Sequence, residues 1–202
     1  MLAVRARLIV LASGAGTLLQ ALLDAQTDPA YPAEVVAVLS DRPDAAALGR
    51  AGRHGVPVDV VALPDFADRE AWDRELGEKA AAHRPDLVVL AGFMKLLSRE
   101  FLHRFPGQVI NTHPGLLPAF PGAHAVRDAL NAGVSVTGAS VIWVDEGIDT
   151  GAVIAHVEVS LLAADDEDSL HERIKVVERE MLVRVIAELV GEQHHSTSNP
   201  GA

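Results

Sequence analysis

The chain has 202 residues, a length that fits one α/β domain. Its 28 acidic and 17 basic residues give a net charge of −11, which argues against a nucleic-acid-binding protein with its basic stripe. It has no cysteine, so disulfides, thiolate metal sites and a Cys nucleophile are excluded, and no apolar run reaches the roughly 18 residues of a membrane span. We therefore expect a cytoplasmic protein whose partners are neither nucleic acids nor membranes.

The first half of the chain alternates between predicted strands and helices. An apolar run over 7–12 predicts a buried parallel strand, and the leucines that follow Gly16 repeat with helical spacing. Further strands are predicted over 34–40, 58–62 and 87–91, with helices over 45–54 and 65–83. This order is typical of a Rossmann-like, mostly parallel twisted sheet flanked by helices.

The second half departs from strict alternation. A strand is predicted over 109–112, then a helix over 124–131 that Gly133 ends, then two strands over 135–144 and 151–159. The short loop between these two strands suggests a hairpin, which makes the far side of the sheet mixed. A long amphipathic helix over 169–190 closes a single domain of residues 1–190, and the polar residues 191–202 are expected to form a disordered tail.

A glycine-containing loop joins the first strand to the first helix. Gly14, Ala15 and Gly16 would present backbone N–H groups at a helix N-terminus, which is a favourable place for a phosphate. The competing interpretation is a dinucleotide fingerprint, but Leu19 occupies the position of its third glycine.

The fifth predicted strand ends in a polar pair. Asn111 and His113 are two positions apart, so in an extended chain their side chains project from the same face. An amide and an imidazole can together stabilise an oxyanion, and the imidazole can deliver a proton. Asp149, in a glycine-flanked turn, is the candidate carboxylate partner of His113. Ordinary loop polarity would give the same pattern, so both interpretations remain open on these residues alone.

Four ordered motifs resemble those of the 10-formyltetrahydrofolate-dependent formyltransferases. They are LASGAGTLLQALLDA, LVVLAGFMKLLS, VINTHPGLLPAFPGAHA and DEGIDTGAVI, and the similarity extends over nearly the whole chain. Their spacing resembles most closely the members that formylate glycinamide ribonucleotide. The resemblance implies the formyltransferase fold, 10-formyltetrahydrofolate as co-substrate, no metal, and Asn111, His113 and Asp149 as catalytic residues.

The same resemblance assigns two binding regions. The ribonucleotide phosphate would be bound by Gly14, Ala15, Gly16 and Thr17, with Glu178 against the substrate. The folate would be bound by Arg69, Met94, Lys95, Leu96, Leu97, Asn111, Asp145, Glu146, Gly147 and Ile148. By their residue types alone, Arg69 and Glu178 could equally be surface charges, and the apolar turn 94–97 could be core. His124 is a second histidine near the site, and Leu18 replaces an amide that the family usually has in the phosphate loop.

Alternatives of other classes remain. A 10-formyltetrahydrofolate hydrolase would reuse the same Asn, His and Asp, although those hydrolases carry an additional amino-terminal domain. Methionyl-tRNA formyltransferases share the core but add a carboxyl-terminal domain and a basic surface. A non-catalytic nucleotide-binding module would use only the glycine loop. The expected partners are small-molecule substrates, and the assembly state, including a homodimer, is open.

Overall fold

The computed structural model describes residues 4–196, with side-chain surroundings up to Gly191. Seven strands form one sheet: β1 (Ala6–Leu11), β2 (Ala33–Ser40), β3 (Val58–Val60), β4 (Leu87–Leu90), β5 (Val109–His113), β6 (Val136–Trp143) and β7 (Val153–Ser160). Six α-helices accompany them: α1 (Thr17–Ala25), α2 (Ala46–Arg53), α3 (Arg69–Ala82), α4 (Arg99–Arg104), α5 (Ala125–Ala132) and α6 (Glu167–Ser196).

The strand order in the sheet is β3-β2-β1-β4-β5-β6-β7. The first five of these strands are parallel, whereas β6 pairs antiparallel with both β5 and β7. This confirms the predicted Rossmann-like, mostly parallel sheet and its hairpin. The chain winds from β1 outward to β3 and then returns to place β4 on the other side of β1. Ligands of open α/β sheets bind at such a reversal of strand order, beyond the carboxyl ends of the strands.

Two apolar layers cover the sheet because successive side chains of each strand point to opposite faces. Leu8 and Val10 belong to the layer that includes the leucines of α1 and the apolar stripe of α6. Ile9 and Leu11 belong to the opposite layer, which includes residues of α3 and α4. Burial of each large apolar side chain stabilises the fold by about 1.5–3 kcal/mol, so these layers fix the sheet that carries the loops.

Two helix boundaries differ from the sequence prediction. Helix α3 begins at Arg69 rather than at residue 65, because the chain first makes a 3-10 turn at Leu63–Asp65 and the Asp68 carboxylate then accepts a hydrogen bond from the Ala71 N–H at 2.8 Å. Helix α6 continues through Gly191 to Ser196, past the start of the predicted tail. One glycine in a helix costs only about 1 kcal/mol, which packing of the preceding turns offsets. Residues 197–202 of that predicted tail lie outside the described residues.

Trp72 offers a test of the α3 layer. Its ring is fully buried, stacks on Phe93, and donates a hydrogen bond from Nε1 to the Val61 carbonyl at 2.7 Å. We expect Trp72→Phe to lower the free energy of unfolding by about 1–3 kcal/mol, because it leaves the buried Val61 carbonyl unpaired and creates a small cavity.

Urea unfolding measures this effect, and Trp143→Phe is the matched control. Trp143 is only partly buried, and its indole N–H has no hydrogen-bond partner in the described part of the chain. Equal losses for the two variants would contradict the role assigned to the Trp72 hydrogen bond.

Candidate active site

A cavity of about 570 Å³ opens at the carboxyl edge of the sheet, where the loops after β1, β4, β5 and β6 meet. It receives nearly every site residue that the sequence predicts. Those in its lining are Gly14, Ala15, Gly16, Thr17, Met94, Lys95, Leu96, Leu97, Asn111, His113, Asp145, Glu146, Gly147, Ile148, Asp149 and Glu178. The structure therefore brings both predicted binding regions and the predicted catalytic residues to one cavity.

The glycine loop forms one end of this cavity. Gly16 has a φ of 69°, and a Cβ at this position would lie 2.7 Å from Ala47, so both backbone conformation and space require glycine. The backbone N–H groups from Gly14 to Thr17 have no acceptor among residues 4–191. Free amides in front of a helix N-terminus attract an anion.

The turn after β4 forms the other end. Met94 is 71% exposed and Leu96 61% exposed, and Ile148 of the opposite loop is 54% exposed. Large apolar side chains that line a cavity yet remain uncovered are typical of a site for a flat apolar ligand. Ser13 joins the two ends, because its Oγ accepts a hydrogen bond from the Met94 N–H at 2.8 Å.

The predicted catalytic residues meet between the two ends. The Asp149 carboxylate lies 3.3 Å from His113 Nδ1 through Oδ2, and Asn111 Nδ2 donates to Oδ1 at 3.5 Å. Asp149 Oδ2 also accepts a hydrogen bond from the Gly122 N–H at 2.8 Å. One carboxylate thus connects the two β5 side chains to the loop that follows β5. The Asp149 backbone has a φ of 54°, a left-handed conformation that Asp and Asn tolerate better than most residues.

The imidazole of His113 is enclosed by the protein. Its Nε2 lies 2.8 Å from the Phe120 carbonyl oxygen, and the ring is almost fully buried. Because both neighbours of the ring are acceptors, only an imidazole that carries two N–H groups can donate to both. Each ring nitrogen thus already faces a protein acceptor, so a ligand that binds Nε2 would have to displace the Phe120 carbonyl. Phe120 itself has a φ of 55°, which is strained for an aromatic residue.

Comparison with known proteins assigns the chain to one family. The model of the formyl transferase family matches residues 6–186. The chain belongs to the formyl transferase family. Phosphoribosylglycinamide formyltransferase of Mycobacterium tuberculosis is 55% identical over 184 residues, which cover 91% of this chain and 85% of that protein.

Two further similarities support the assignment to this family. The trifunctional purine biosynthetic protein adenosine-3 of Drosophila melanogaster is 46% identical over 188 residues, covering 92% of this chain and 14% of that longer protein. The crystal structure of glycinamide ribonucleotide transformylase 1 from Symbiobacterium toebii superposes with a TM-score of 0.88 at 41% identity, covering 91% of this chain and 88% of that one. The formyltransferase fold and the enzymatic class expected from the sequence are thus confirmed.

One wall of the formyltransferase cavity comes from α6. His171, Lys175 and Glu178 lie on one face of this helix, three or four residues apart, and all three line the cavity. The sequence interpretation included Glu178 but missed the other two, although their spacing with Glu178 was a usable signal. Burial, and then the Lys175 ammonium, lowers the pKa of His171, while acidic residues of the same helix act in the opposite direction. The lowered pKa favours the neutral imidazole, so the positive charge of this wall comes from the Lys175 ammonium.

Glu178 is the most deeply buried charged group of the wall, at 5% exposure. Burial raises the pKa of the Glu178 carboxyl above its ordinary value, and the adjacent Thr112 and the Lys175 and Arg179 charges offset part of that effect. A carboxyl that is buried but lines the cavity can accept further hydrogen bonds from a ligand.

Two residues that the sequence analysis named lie at the edge of the cavity or outside it. Arg69 is not in the cavity lining. Its guanidinium lies 4.5 Å above the Trp72 ring, pairs with Asp73 at 3.0 Å, and donates to the Leu96 carbonyl, so it contacts the turn after β4. His124 is exposed at the start of α5 and does not line the cavity. Leu18, which replaces the usual amide, packs into the core and forms part of the cavity floor.

The described residues contain no group of three or more His, Asp or Glu side chains placed to hold a metal ion. Among the helices of residues 4–196, none combines the length and apolar character that a membrane crossing requires.

Glu178 gives a test of the electrostatics of this wall. We expect Glu178→Gln to raise the free energy of unfolding above that of the wild type, because the glutamine does not have to bury a charge. The sign follows from the raised pKa. Below the ordinary Glu pKa both side chains are neutral, whereas the wild type loses stability as the pH rises through the pKa of the folded state.

Urea unfolding at about pH 4 and about pH 8 measures the two limits. The stabilisation by Glu178→Gln is expected to be near zero at the lower pH and to grow toward the higher one. The control is Glu180→Gln, which removes the same charge from an exposed position of α6. A stabilisation that does not depend on pH would contradict the burial effect assigned to Glu178.

Proposed function

We propose that this formyltransferase transfers the formyl group of 10-formyltetrahydrofolate to the amine of 5-phosphoribosylglycinamide, a step of de novo purine (IMP) biosynthesis. The observation that carries the proposal is the single cavity in which an anion-binding glycine loop and an exposed apolar turn face each other across Asn111, His113 and Asp149. A cytoplasmic location belongs to the same proposal, in keeping with a biosynthetic enzyme of small-molecule substrates.

The two substrates would enter from opposite ends of the cavity. The ribonucleotide phosphate binds the free amides of Gly14–Thr17, with the Lys175 ammonium opposite them on α6. Glu178 accepts hydrogen bonds from the same substrate. The pteridine ring of the folate lies against Met94, Leu96 and Ile148, and the backbone of the Asp145–Asp149 loop contacts its polar edge. This placement covers apolar side chains that are otherwise exposed.

The Asp145–Asp149 loop is shaped for this purpose before any ligand binds. The Asp145 carboxylate accepts hydrogen bonds from the Gly147 N–H at 3.0 Å and from the Thr150 hydroxyl at 2.7 Å. A Cβ on Gly147 would overlap the Thr150 hydroxyl, at 1.9 Å. Such a closed turn reduces the ordering entropy that ligand binding would otherwise require.

The reaction follows from the groups between the ends. The substrate amine attacks the formyl carbon and forms the new C–N bond, which turns the formyl oxygen into an oxyanion. Asn111 Nδ2 and a His113 N–H stabilise this oxyanion, the kind of preorganised electrostatic stabilisation that contributes most in a buried site. Collapse of the tetrahedral intermediate breaks the bond to the folate N10. The attacking nitrogen loses a proton and N10 gains one, so the products are the formylated ribonucleotide and tetrahydrofolate.

His113 and Asp149 would together carry out the proton transfer. The Asp149 carboxylate stabilises the protonated imidazole, and the oxyanion replaces the Phe120 carbonyl as the partner of Nε2. The proposal includes no metal and no covalent enzyme intermediate.

The experiment that tests the function is a spectrophotometric transfer assay. The purified protein is mixed with 10-formyltetrahydrofolate with and without glycinamide ribonucleotide, and release of the deformylated folate is followed. Release that requires the ribonucleotide is the expected result. Equal release without it would identify a hydrolase, and no release from a folded sample would leave a binding module without this activity.

Asp149→Asn tests the catalytic assignment. Asparagine accepts the left-handed backbone of Asp149, so the fold should persist, but it lacks the charge that stabilises a protonated His113. We expect kcat to fall by about 10²–10⁴-fold, with KM values for both substrates changed much less. Asp128→Asn, an exposed site on α5, is the control for loss of one negative charge. Turnover that matches the wild type across the pH range would contradict the role of Asp149.

Gly14→Val tests the placement of the phosphate. A Cβ on Gly14 meets no protein atom within 4 Å, so the fold has room for a side chain that would extend into the cavity. We expect the variant to bind the ribonucleotide about tenfold or more weakly, since the amides can no longer approach the phosphate, with folate binding nearly unchanged. Calorimetry with each substrate measures this, and equal losses for the two ligands would count against the placement.

A further inference from the structure

We infer that Arg50 is a positioning residue of the phosphate site, which orients the glycine loop from behind without touching the substrate. The inference rests on the proposed binding of the ribonucleotide phosphate by this loop. Arg50 lies on α2, outside the lining of the active-site cavity.

Each carbonyl of the glycine loop has its own hydrogen-bond donor. The Gly14 carbonyl accepts from the Ala47 N–H at 3.1 Å, and the Gly16 carbonyl accepts from the Gln20 N–H at 2.9 Å. The Ala15 carbonyl accepts from Arg50 Nε at 2.8 Å. Two of these three donors come from α2, and only the Ala15 carbonyl depends on a side chain.

The direction of these carbonyls decides whether the loop can bind an anion. The N–H groups of a loop face a phosphate only if the neighbouring carbonyl oxygens, which carry partial negative charge, point away from it. Rotation of the Ala15–Gly16 peptide would aim the Ala15 oxygen toward the phosphate and remove the Gly16 N–H from it. Arg50 opposes that rotation, because its guanidinium would lose a charge-assisted hydrogen bond.

Arg50 is itself held in place. Its Nη1 group donates to Gln20 Oε1 at 3.0 Å, so the planar guanidinium bridges the loop and the first turn of α1. The other side of Arg50 faces a second cavity of about 610 Å³ between α1, α2 and α6. Helix α2 also packs directly against the loop, since a Cβ on Gly16 would lie 2.7 Å from Ala47. The loop is therefore fixed by α2 through the Arg50 side chain, the Ala47 N–H and close packing at Gly16.

The test compares Arg50→Gln with Arg53→Gln in the transfer assay. Arg53 is exposed on the same helix, so its variant removes the same charge while leaving the loop contact intact. We expect Arg50→Gln to raise the KM for the ribonucleotide about tenfold, the effect of losing one charge-assisted hydrogen bond that orders the site. The KM for the folate and kcat at saturation should stay near wild type. Arg50→Lys, which keeps a donor for the Ala15 carbonyl, should restore part of the affinity.

Other results would overturn the inference. An unchanged ribonucleotide KM for Arg50→Gln, or an equal rise for Arg53→Gln, would show that Arg50 does not orient the loop. Equal rises of both KM values, or a loss of kcat alone, would indicate a general structural role. Thermal unfolding of each variant confirms that the folded protein is being compared. Ribonucleotide-dependent transfer by the wild type is measured first, so that failure of the proposed function is recognised separately from failure of this inference.

Discussion

The buried contact between the Asp149 carboxylate and the His113 imidazole is the interaction on which the site depends. It joins β5 to the loop after β6, and the same carboxylate holds the Gly122 N–H of the loop after β5. A carboxylate in such a place is costly unless every lone pair has a donor. The protein supplies these donors from Asn111, His113 and Gly122, so the contacts that hold the loops together are the same ones to which the proposed function assigns proton transfer.

The sheet decides where this chemistry can occur. The reversal of strand order between β1 and β4 leaves a crevice at their carboxyl ends, with the glycine loop on one side and the exposed apolar turn on the other. Ser13 couples the two sides through its hydrogen bond with Met94. The antiparallel hairpin of β6 and β7 then extends the sheet so that Asp149 returns to β5. In the proposed function, two substrates of different chemistry bind separately and meet at one strand end, which would lower the entropic barrier of their reaction.

The sequence predicted those features that short-range patterns determine. Periodicity and turn residues indicated the helices, the strands and the glycine loop, although not the order of the strands in the sheet. Motif resemblance indicated that Asn111, His113 and Asp149 belong together. Contacts between distant segments that no family motif marks were not recognisable. How loops and helices pack determines the Phe120 carbonyl opposite His113, the position of His171 and Lys175 in the cavity wall, and the hydrogen bond from Arg50 to the Ala15 carbonyl. The start of α3 was also misplaced, because a 3-10 turn and the Asp68 cap interrupt an otherwise helical pattern.

The central claim is that the two substrates meet at Asn111 and His113 from opposite ends of one cavity. A crystal structure of the protein with glycinamide ribonucleotide and an unreactive 10-formyl folate analogue tests this claim most directly. The account predicts the phosphate on the amides of 14–17, the pteridine ring against Met94, and the amine about 3–3.5 Å from the formyl carbon, with the formyl oxygen facing Asn111. A phosphate bound elsewhere, or a formyl group turned away from Asn111 and His113, would contradict it.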